Sequence, residues 1–351
     1  MNIKSLLIGS AAALAAVSGA QAADAIVAAE PEPMEYVRVC DAFGTGFFYI
    51  PGTETCLKFQ GYVRFQTDFG RDKAGKSDWD AFTRAQFEVD TRTDTELGAL
   101  RGFIGLRGDA DTGSAAASTT SGSSDKGSAV FVHQAFIEIA GLKVGKFLSW
   151  WDDGLSGETD DVATNALFNS VRYTYEAGSF WAGVSVDELE GIAVGTFNKN
   201  NNTSNNVGVV VGAGAKIDSV SLQLIGGYDT DRENGSVRLI ATAGVGPGTF
   251  GLSGVWASGA NAYYNASEWA VAAEYAINAT DKLKITPGFQ YYSGYGLVSF
   301  DKFSNNDAWK AGLTVDYKIT DGLSAKVAAN YLDVDTKPEA WTGFVRLQRA
   351  F

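Results

Sequence analysis

The charged residues of this chain include two groups whose types and spacing indicate electrostatic rather than catalytic chemistry. The segment from Leu148 to Phe168 contains no Lys or Arg and five carboxylates, at Asp152, Asp153, Glu158, Asp160 and Asp161. A second group is basic and consists of Arg64, Arg84, Arg92, Arg101 and Arg107. Acidic and basic surfaces that face each other set up a transverse electric field that orders water and polar solutes, and rings of charge determine ion preference. These residues could therefore select solutes by charge.

Catalytic and metal-binding patterns are weak in this sequence. His133 is the only histidine, it lies inside an alternating segment, and no Gly-x-Ser-x-Gly motif accompanies it. Hydrolases of this kind need a histidine with a serine or carboxylate partner. We therefore expect His133 to be structural and the chain not to be an enzyme. Because Cys-x-x-Cys spacing is absent as well, no zinc site and no cofactor are predicted.

The amino-terminus has the features of an export signal. Lys4 is followed by an apolar stretch from Leu6 to Val17 and by the small-x-small site Ala20-Gln21-Ala22. Residues 1–22 are therefore predicted to be a signal peptide, and residues 23–35 a flexible periplasmic leader. No other stretch approaches about 18 uninterrupted apolar residues, which excludes a membrane helix. Without Lys4 the chain has 27 basic and 41 acidic residues, a net charge of −14, which disfavours nucleic acid as a partner.

Cys40 and Cys56 are the only cysteines, and an exported chain reaches an oxidising compartment. An even number of cysteines in such a chain indicates a disulfide. This disulfide would close the segment 36–56 in a loop of about 17 residues and add roughly 3 kcal/mol of stability by chain entropy. Two unpaired thiols are the alternative.

Hydrophobic alternation with period two recurs from about Leu57 to the aromatic end of the chain. In one segment Leu313 and Tyr317 share a face, while Lys310 and Lys318 share the other. A lysine that faces lipid near the middle of a bilayer costs about 2–4 kcal/mol, so the register of such a strand cannot slip by one residue. Sixteen strands are predicted, at 57–68, 80–92, 98–108, 129–139, 142–147, 169–176, 179–187, 207–217, 219–229, 235–244, 249–258, 266–277, 282–293, 307–319, 323–333 and 340–351.

The connections between these segments are alternately short and long. Ala140-Gly141 and Thr320–Gly322 are short and contain residues that tight turns require, whereas Asp109–Ser128 is long and rich in Gly and Ser. An even number of strands with this alternation is typical of a transmembrane β-barrel. For 57–351 we predict an all-β, 16-stranded antiparallel transmembrane β-barrel in a bacterial outer membrane, with short periplasmic turns, long outer loops and an aqueous channel. The soluble alternative is a secreted β-sandwich or β-helix. Neither fold would explain why short and long connections alternate.

Both ends of the sequence resemble a known family. The opening contains Tyr36-Val37-Arg38-Val39-Cys40-Asp41-Ala42-Phe43-Gly44, then Phe48-Tyr49-Ile50-Pro51-Gly52-Thr53-Glu54-Thr55-Cys56-Leu57 and Gly61-Tyr62-Val63-Arg64. The close is Gly343-Phe344-Val345-Arg346-Leu347-Gln348-Arg349-Ala350-Phe351. These stretches are similar to the ends of the alphaproteobacterial general porins. The resemblance implies a homotrimer that passes small hydrophilic solutes and ions passively, and whose terminal Phe351 is recognised by the barrel assembly machinery.

The resemblance also suggests where the two charged groups lie. In general porins the third long loop folds into the barrel and narrows it, and here the third long loop is about 148–168. The five acidic residues would then form one side of the constriction. The five arginines would form the facing wall. Phe65, Phe87 and Ile104 on the same strands face lipid, and the arginines lie on the opposite face of each strand. In the alternative, the acidic loop stays outside the barrel, where divalent ions bridge it to lipopolysaccharide.

Aromatic residues admit two interpretations. Trp150 and Trp151 could plug part of the lumen or brace the loop. Aromatic residues near strand ends are expected to form an interfacial girdle rather than a sugar-binding path, and they are Tyr263, Tyr264, Tyr291, Tyr295 and Trp341.

Two further functions remain open beside general diffusion. One is a substrate-specific channel, which would need a chain of aromatic residues along the pore. The other is a structural barrel tethered to peptidoglycan, because some barrels of this bacterial class are attached through a mature Ala-Asp amino-terminus, and Ala23-Asp24 matches it. An untethered tail is the alternative to the tether.

Overall fold

In the part of the chain that the structure describes, sixteen antiparallel strands form a barrel, and a two-residue strand precedes them. The computed structural model describes residues 37–71, 77–111, 130–164, 166–195 and 205–351. Val39–Phe351 form one compact unit. The strands are β1 (Phe48–Tyr49), β2 (Cys56–Arg71), β3 (Ser77–Thr95), β4 (Gly98–Asp111), β5 (Phe131–Ile139), β6 (Leu142–Leu148), β7 (Leu167–Ala177), β8 (Phe180–Glu188), β9 (Val207–Ile217), β10 (Val220–Asp229), β11 (Asn234–Val245), β12 (Gly248–Ala257), β13 (Trp269–Asn278), β14 (Leu283–Ser293), β15 (Ala308–Thr320), β16 (Leu323–Val334) and β17 (Ala340–Ala350).

The barrel strands have apolar side chains outside and polar ones inside, the reverse of a water-soluble protein. On β15, Leu313 and Tyr317 are 44% and 45% exposed, whereas Thr314 between them is fully buried. The apolar side chains can lie on the outer face because that face contacts lipid and not water. Each of the sixteen predicted segments overlaps one barrel strand, so the strand prediction is confirmed.

Closure of the sheet leaves the barrel without an edge. β17 pairs with β2, with Leu347 beside Phe65, and each barrel strand between them pairs with its sequence neighbours. The terminal Phe351 and Gly61 exchange two backbone hydrogen bonds of 3.0 and 3.1 Å. A closed ladder satisfies the backbone groups that an edge strand would leave unpaired. Among the described residues, no helix is long and apolar enough to cross a membrane.

The tight turns follow from backbone conformations that the sequence allows. Ala140 and Gly141 both have positive φ, at 48° and 83°, as a two-residue hairpin turn between twisted strands requires. Asp218 and Gly322 have φ of 53° and 72° in the turns after β9 and β15. Strand ends at these turns define what we call the short-turn end of the barrel.

The predicted disulfide between Cys40 and Cys56 is confirmed. Both cysteines are buried and pack with Phe47 in a small apolar cluster. β1 pairs with the first residues of β2, which fixes this amino-terminal segment at the short-turn end. The disulfide therefore anchors the chain where it enters the barrel.

One side of the barrel interior is filled rather than aqueous. Trp150 and Trp151 from the connection after β6, and Leu189 from the connection after β8, pack on inward side chains such as Ile225 and Val255. The strand count alone predicts an open channel, but strand count does not reveal that connecting segments fold inward. The open part of the lumen is reduced accordingly.

The predicted interfacial girdle is wrong for Tyr263 and Tyr264. These side chains are fully buried and donate or share hydrogen bonds with Asp187 and Ser267, both at 2.9 Å. Tyr295 is partly buried, and the centroid of its ring lies 5.0 Å from that of Tyr292. The physical reason is that the connection between β12 and β13 folds into the barrel instead of standing at the membrane surface.

Tyr291 and Trp341 differ from those three tyrosines. Tyr291 packs against Trp269, and Trp341 is 55% exposed and packs against Tyr331. Their position on the outer face is the one that the girdle prediction requires.

Candidate functional site

The predicted constriction segment lies inside the barrel. We call residues 149–166, between β6 and β7, the acidic loop. Its stem is closed by two backbone hydrogen bonds, from Ser149 N to Ala166 O at 2.8 Å and from Thr164 N to Trp151 O at 3.0 Å. A single turn of 3₁₀ helix, Trp150–Asp152, starts the loop, and Ser149 caps it by accepting a hydrogen bond from Trp151 N. The stem thus leaves the wall as an ordered hairpin.

Arg238 on β11 holds the stem against the inner wall. Its guanidinium donates to the backbone carbonyls of Trp150, Trp151 and Val162, at 2.7, 3.0 and 2.5 Å. The residue is fully buried. Burial of a guanidinium is costly unless it is hydrogen-bonded, and here both terminal nitrogens of the group donate, because its planar fork suits several acceptors at once. One side chain therefore joins both sides of the loop stem to the wall.

Glu274 on β13 holds the middle of the acidic loop. Its carboxylate accepts hydrogen bonds from Ser156 N, Ser156 Oγ and Gly157 N, at 2.7, 2.8 and 2.8 Å. A Cβ on Gly157 would lie 3.2 Å from Thr286 of β14, so the glycine permits this close approach. Charge-assisted hydrogen bonds from backbone amides are among the stronger ones in proteins.

The tip of the loop rests on β14, β15 and β16. Glu158 N donates to Thr314 Oγ1 at 2.9 Å, and Asp161 N donates to Gln290 Oε1 at 2.7 Å. Thr159 lies over a glycine of β14, where a Cβ on Gly288 would come within 2.9 Å of its own Cβ. The loop thus crosses the lumen from β6 and β7 to the far wall.

Two loop carboxylates form ion pairs with lysines of that wall. Asp161 lies 2.8 Å from Lys310 Nζ and accepts a hydrogen bond from Tyr292 Oη at 2.5 Å. Glu158 lies 2.7 Å from Lys326 Nζ. These lysines, rather than the five predicted arginines, are the nearest cationic partners of the two carboxylates at hydrogen-bond distance.

The other acidic residues of the loop are at least partly accessible. Asp153 is exposed and accepts a hydrogen bond from Gln223 at 2.7 Å. Burial raises the pKa of Asp160 to about 6, although the amide of Val162 donates to its carboxylate. Burial, followed by the neighbouring charge of Asp153, also raises the pKa of Asp152. The charge of the loop therefore depends on pH near neutrality.

Three of the five predicted arginines lie together on adjacent strands. Arg64 and Arg84 are paired across β2 and β3, and Arg107 on β4 is paired with Gln86. Arg84 makes a bidentate ion pair with Asp109 at 2.7 and 2.8 Å. Arg107 donates to Gln86 at 2.8 Å.

Arg346 on β17 extends this group and was not among the predicted site residues. It donates to Gln66 on β2 at 2.6 Å, and its Nη1 lies 3.7 Å from Glu158. We call Arg64, Arg84, Arg107 and Arg346 the basic row. The acidic loop and the basic row meet at Glu158.

Arg92 and Arg101 lie apart from the basic row, nearer the short-turn end. They are paired with each other across β3 and β4, and both bond to Asp90, at 3.0 and 2.9 Å. Arg92 also lies over the ring of Phe47, 5.1 Å from its centroid. The structure therefore brings three of the predicted arginines together and places two in a separate, compensated cluster.

Part of the evidence for the cationic residues that the prediction left out is present in the sequence. Lys310, Lys326 and Arg346 lie on inward faces that the alternation already assigns. Their contact with the acidic loop joins residues about 150 positions apart or more, which no local pattern encodes. Among the described residues, no group of three or more His, Cys, Asp or Glu side chains is arranged to hold a metal ion.

Sequence comparison gives clear relatives. The profile of the Porin subfamily matches residues 24–346. Outer membrane protein IIIA of Rhizobium leguminosarum bv. viciae is 50% identical, over 98% of this chain and 93% of that protein. Porin Omp2b of Brucella suis is 33% identical, over the full length of both chains.

Structural comparison gives the same fold at low identity. The outer membrane channel DcaP of Acinetobacter baumannii has a TM-score of 0.67 at 12% identity, covering 86% of this chain and 99% of that one. An anion-selective porin from Comamonas acidovorans has a TM-score of 0.59 at 13% identity, covering 85% of this chain and 100% of that one. These likenesses concern the 16-stranded barrel.

Proposed function

Because this chain belongs to the Porin subfamily, we propose that it is a general diffusion porin, through which ions and small hydrophilic solutes cross the outer membrane passively. The chain is a bacterial outer-membrane barrel and not an enzyme. The finer part of the proposal is that acidic residues of the loop, facing an arginine-lined wall, set the selectivity of the pore.

One observation carries this proposal: the acidic loop is hydrogen-bonded to the inner wall along much of its length. Arg238 bonds to its stem, Glu274 to its middle, and Lys310 and Lys326 to its tip. These contacts favour a loop that narrows the lumen over one that stands outside the barrel beside lipopolysaccharide. The acidic group is Asp152, Asp153, Glu158, Asp160 and Asp161.

The basic side of the selectivity site is the basic row rather than all five predicted arginines. Glu158 and Arg346 bring opposite charges within 3.7 Å at the meeting point of loop and wall. Arg92 and Arg101 share Asp90 and contribute less net charge to the lumen. A field between the two groups would orient water and polar solutes during passage.

Liposome swelling tests the proposal against the substrate-specific alternative. Liposomes containing the protein are diluted into isotonic solutions of neutral sugars and zwitterionic amino acids of increasing mass. A general porin gives rates that fall smoothly with solute size and do not saturate. Rapid swelling with one solute class alone would contradict general diffusion. The stacked rings of Phe103 and Phe136 offer little to a specific path, since both are only 7% exposed.

Several partners belong to the same proposal. We expect a homotrimer embedded in outer-membrane lipid and lipopolysaccharide, delivered by the barrel assembly machinery through Phe351. Crosslinking of the protein in native envelopes, followed by electrophoresis, tests the trimer. A species of three subunits is expected, and a monomer alone would contradict it.

The peptidoglycan tether through Ala23 and Asp24 stays a prediction, because these residues lie outside the described part of the chain, as do all residues from 1 to 36. Peptides released from lysozyme-treated envelopes would carry a muropeptide on Ala23 if the tether exists. Only free Ala23 termini would refute it.

A further inference from the structure

A cavity of about 610 Å³ lies inside the barrel between the stem of the acidic loop and the wall near the short-turn end. It is lined by residues of β5 to β8 and β10, by Ala140 and Gly141 of the turn between β5 and β6, and by Trp150 and Asp153 of the loop. Asp153 belongs to the acidic group described above, but the selectivity site assigns no function to the rest of this cavity.

A row of paired residues crosses the cavity wall at one level. Glu176 on β7 is paired with Trp181 on β8, Trp181 with Gly214 on β9, and Gly214 with Gln223 on β10. Adjacent strands are about 4.8 Å apart, so the row places a carboxylate directly beside an indole ring. Gln223 in turn bonds to Asp153 at 2.7 Å, which puts a second carboxylate beyond the other end of the indole.

Glycines on the wall make room for the indole rings. A Cβ on Gly214 would collide with Trp181 Nε1, and a Cβ on Gly212 would lie 3.1 Å from the same ring. A Cβ on Gly183 would lie 2.7 Å from the ring of Trp150. Trp150 and Trp181 then pack together, with ring centroids 5.1 Å apart and planes tilted by 31°. The indole of Trp181, a half-buried residue, is therefore held in a fixed position beside Glu176.

The charges around the cavity differ in accessibility. Arg172 is buried between the rings of Phe147 and Trp150, at 4.7 and 4.2 Å, and donates to Leu148 O. Lys143 Nζ lies over the ring of Phe136 at 3.9 Å. By contrast, Glu176 and Asp153 are exposed to the lumen. A solute entering this cavity meets an aromatic ring and exposed carboxylates. The two cationic groups of the wall, Lys143 and Arg172, lie against rings, and Lys143 also lies 3.9 Å from the carboxylate of Glu138.

We propose that this cavity is a transit site for small organic cations, which place an ammonium or guanidinium group on the ring of Trp181 between Glu176 and Asp153. A cation over an indole face is attracted by the ring quadrupole, and tryptophan is the strongest aromatic partner. The two carboxylates add charge attraction to cations and repel anions. The inference rests on the proposed function, because the site lies on the route through the barrel.

Tetramethylammonium is the probe, because its methyl protons report binding directly. Saturation-transfer NMR of this ion with the protein in detergent micelles detects binding without any conduction. The variants Trp181→Leu and Glu176→Gln remove the ring and the nearest carboxylate. Matched controls are Trp269→Leu on the outer face and Glu88→Gln on the inward face of β3. The β-sheet signal in circular dichroism verifies the fold of each variant. If Trp181→Leu does not fold, Glu176→Gln still tests the site, because Glu176 is exposed near the end of its strand.

The expected result is saturable binding that weakens about fivefold or more in both site variants and is unchanged in both controls. Absence of saturable binding to the wild-type protein, or binding unaffected by the site variants, would overturn the inference. Equal, Trp181-dependent binding of methyl glucoside would overturn the assignment to cations. Single-channel conductance in KCl, measured for the wild-type protein and for Glu176→Gln, tests general diffusion separately. Conducting channels without saturable cation binding would leave the proposed function standing and overturn only this site.

Discussion

Glu158 Oε1 lies 3.7 Å from Arg346 Nη1, a contact between the tip of the acidic loop and the last barrel strand, 188 residues later in the sequence. Lys326 is closer still to Glu158, at 2.7 Å. Through Arg346, which bonds to Gln66, the contact continues to β2 and the rest of the basic row. The acidic and basic groups of the sequence are thus joined at one carboxylate.

Replacing Glu158 with glutamine should shift the pore towards anions. The change removes one negative charge beside Lys326 and Arg346, while Lys326 keeps its second carboxylate partner, Asp316, at 3.4 Å. A unit charge a few ångströms from a passing ion is worth about 1 kcal/mol even in a water-like dielectric, so the ratio of potassium to chloride permeability should fall by up to about fivefold. Reversal potentials in a KCl gradient measure this ratio. The control Glu96→Gln, in an exposed turn, should leave it unchanged; an equal shift in both would contradict the assignment.

Loss of a charge from the basic row should have the opposite effect. Arg107→Gln should raise the preference for potassium, because Arg107 lies in the group that faces the acidic loop. Arg92→Gln is the comparison, since its charge is compensated by Asp90 and covered by Phe47. The same reversal-potential measurement should give a clearly smaller change for Arg92. Equal changes would mean that all five predicted arginines act together.

The barrel was predictable from sequence because side chains along a strand alternate between its two faces. A register shift of one residue would turn lysines to the lipid face, which costs free energy. The face occupied by Lys310 and the pairing of Cys40 with Cys56 follow from local rules of this kind. The anchoring of the loop by Arg238 and Glu274 does not, because these residues lie 76 or more positions from their partners. Tyr263 was misplaced for the same reason, since nothing near it in sequence indicates that its segment folds inward.

Removal of the Arg238 side chain should release the acidic loop. Arg238→Met keeps the volume but removes the hydrogen bonds that the guanidinium donates to three backbone carbonyls, a loss of roughly 3 kcal/mol or more for a buried charged network. A protease that cleaves after glutamate should then cut at Glu158 in protein reconstituted in micelles, and open-channel current noise should rise. Arg238→Lys serves as the control for charge, since one ammonium cannot reach all three carbonyls, and it should give an intermediate result. Resistance of Arg238→Met to cleavage would contradict the anchoring role.

The selectivity of the pore should depend on pH. Burial raises the pKa of Asp160 to about 6, so this carboxyl is mainly charged above pH 6 and mainly neutral below it. Cation preference should therefore fall as pH is lowered from about 7.5 to about 5. Asp160→Asn should lack this part of the pH dependence and should already have a lower cation preference than the wild-type protein at pH 7.5. An unchanged pH profile in the variant would assign the titration to another group.

Loss of the disulfide should lower stability without closing the pore. The bond spans a sequence separation of 16 residues, for which chain entropy gives roughly 3 kcal/mol. The double variant Cys40→Ser/Cys56→Ser should melt at lower temperature when followed by circular dichroism. Its single-channel conductance should equal that of the wild-type protein, because the acidic loop is anchored elsewhere. A changed conductance would show that the amino-terminal segment also shapes the pore.

Single-channel recording of the purified mature chain in a planar bilayer under a KCl gradient tests the central claim most directly. The account predicts large ohmic steps, often in groups of three, with a mild selectivity that Glu158→Gln moves towards chloride. Silent bilayers, or small currents blocked by one particular solute, would contradict general diffusion through a loop-narrowed pore.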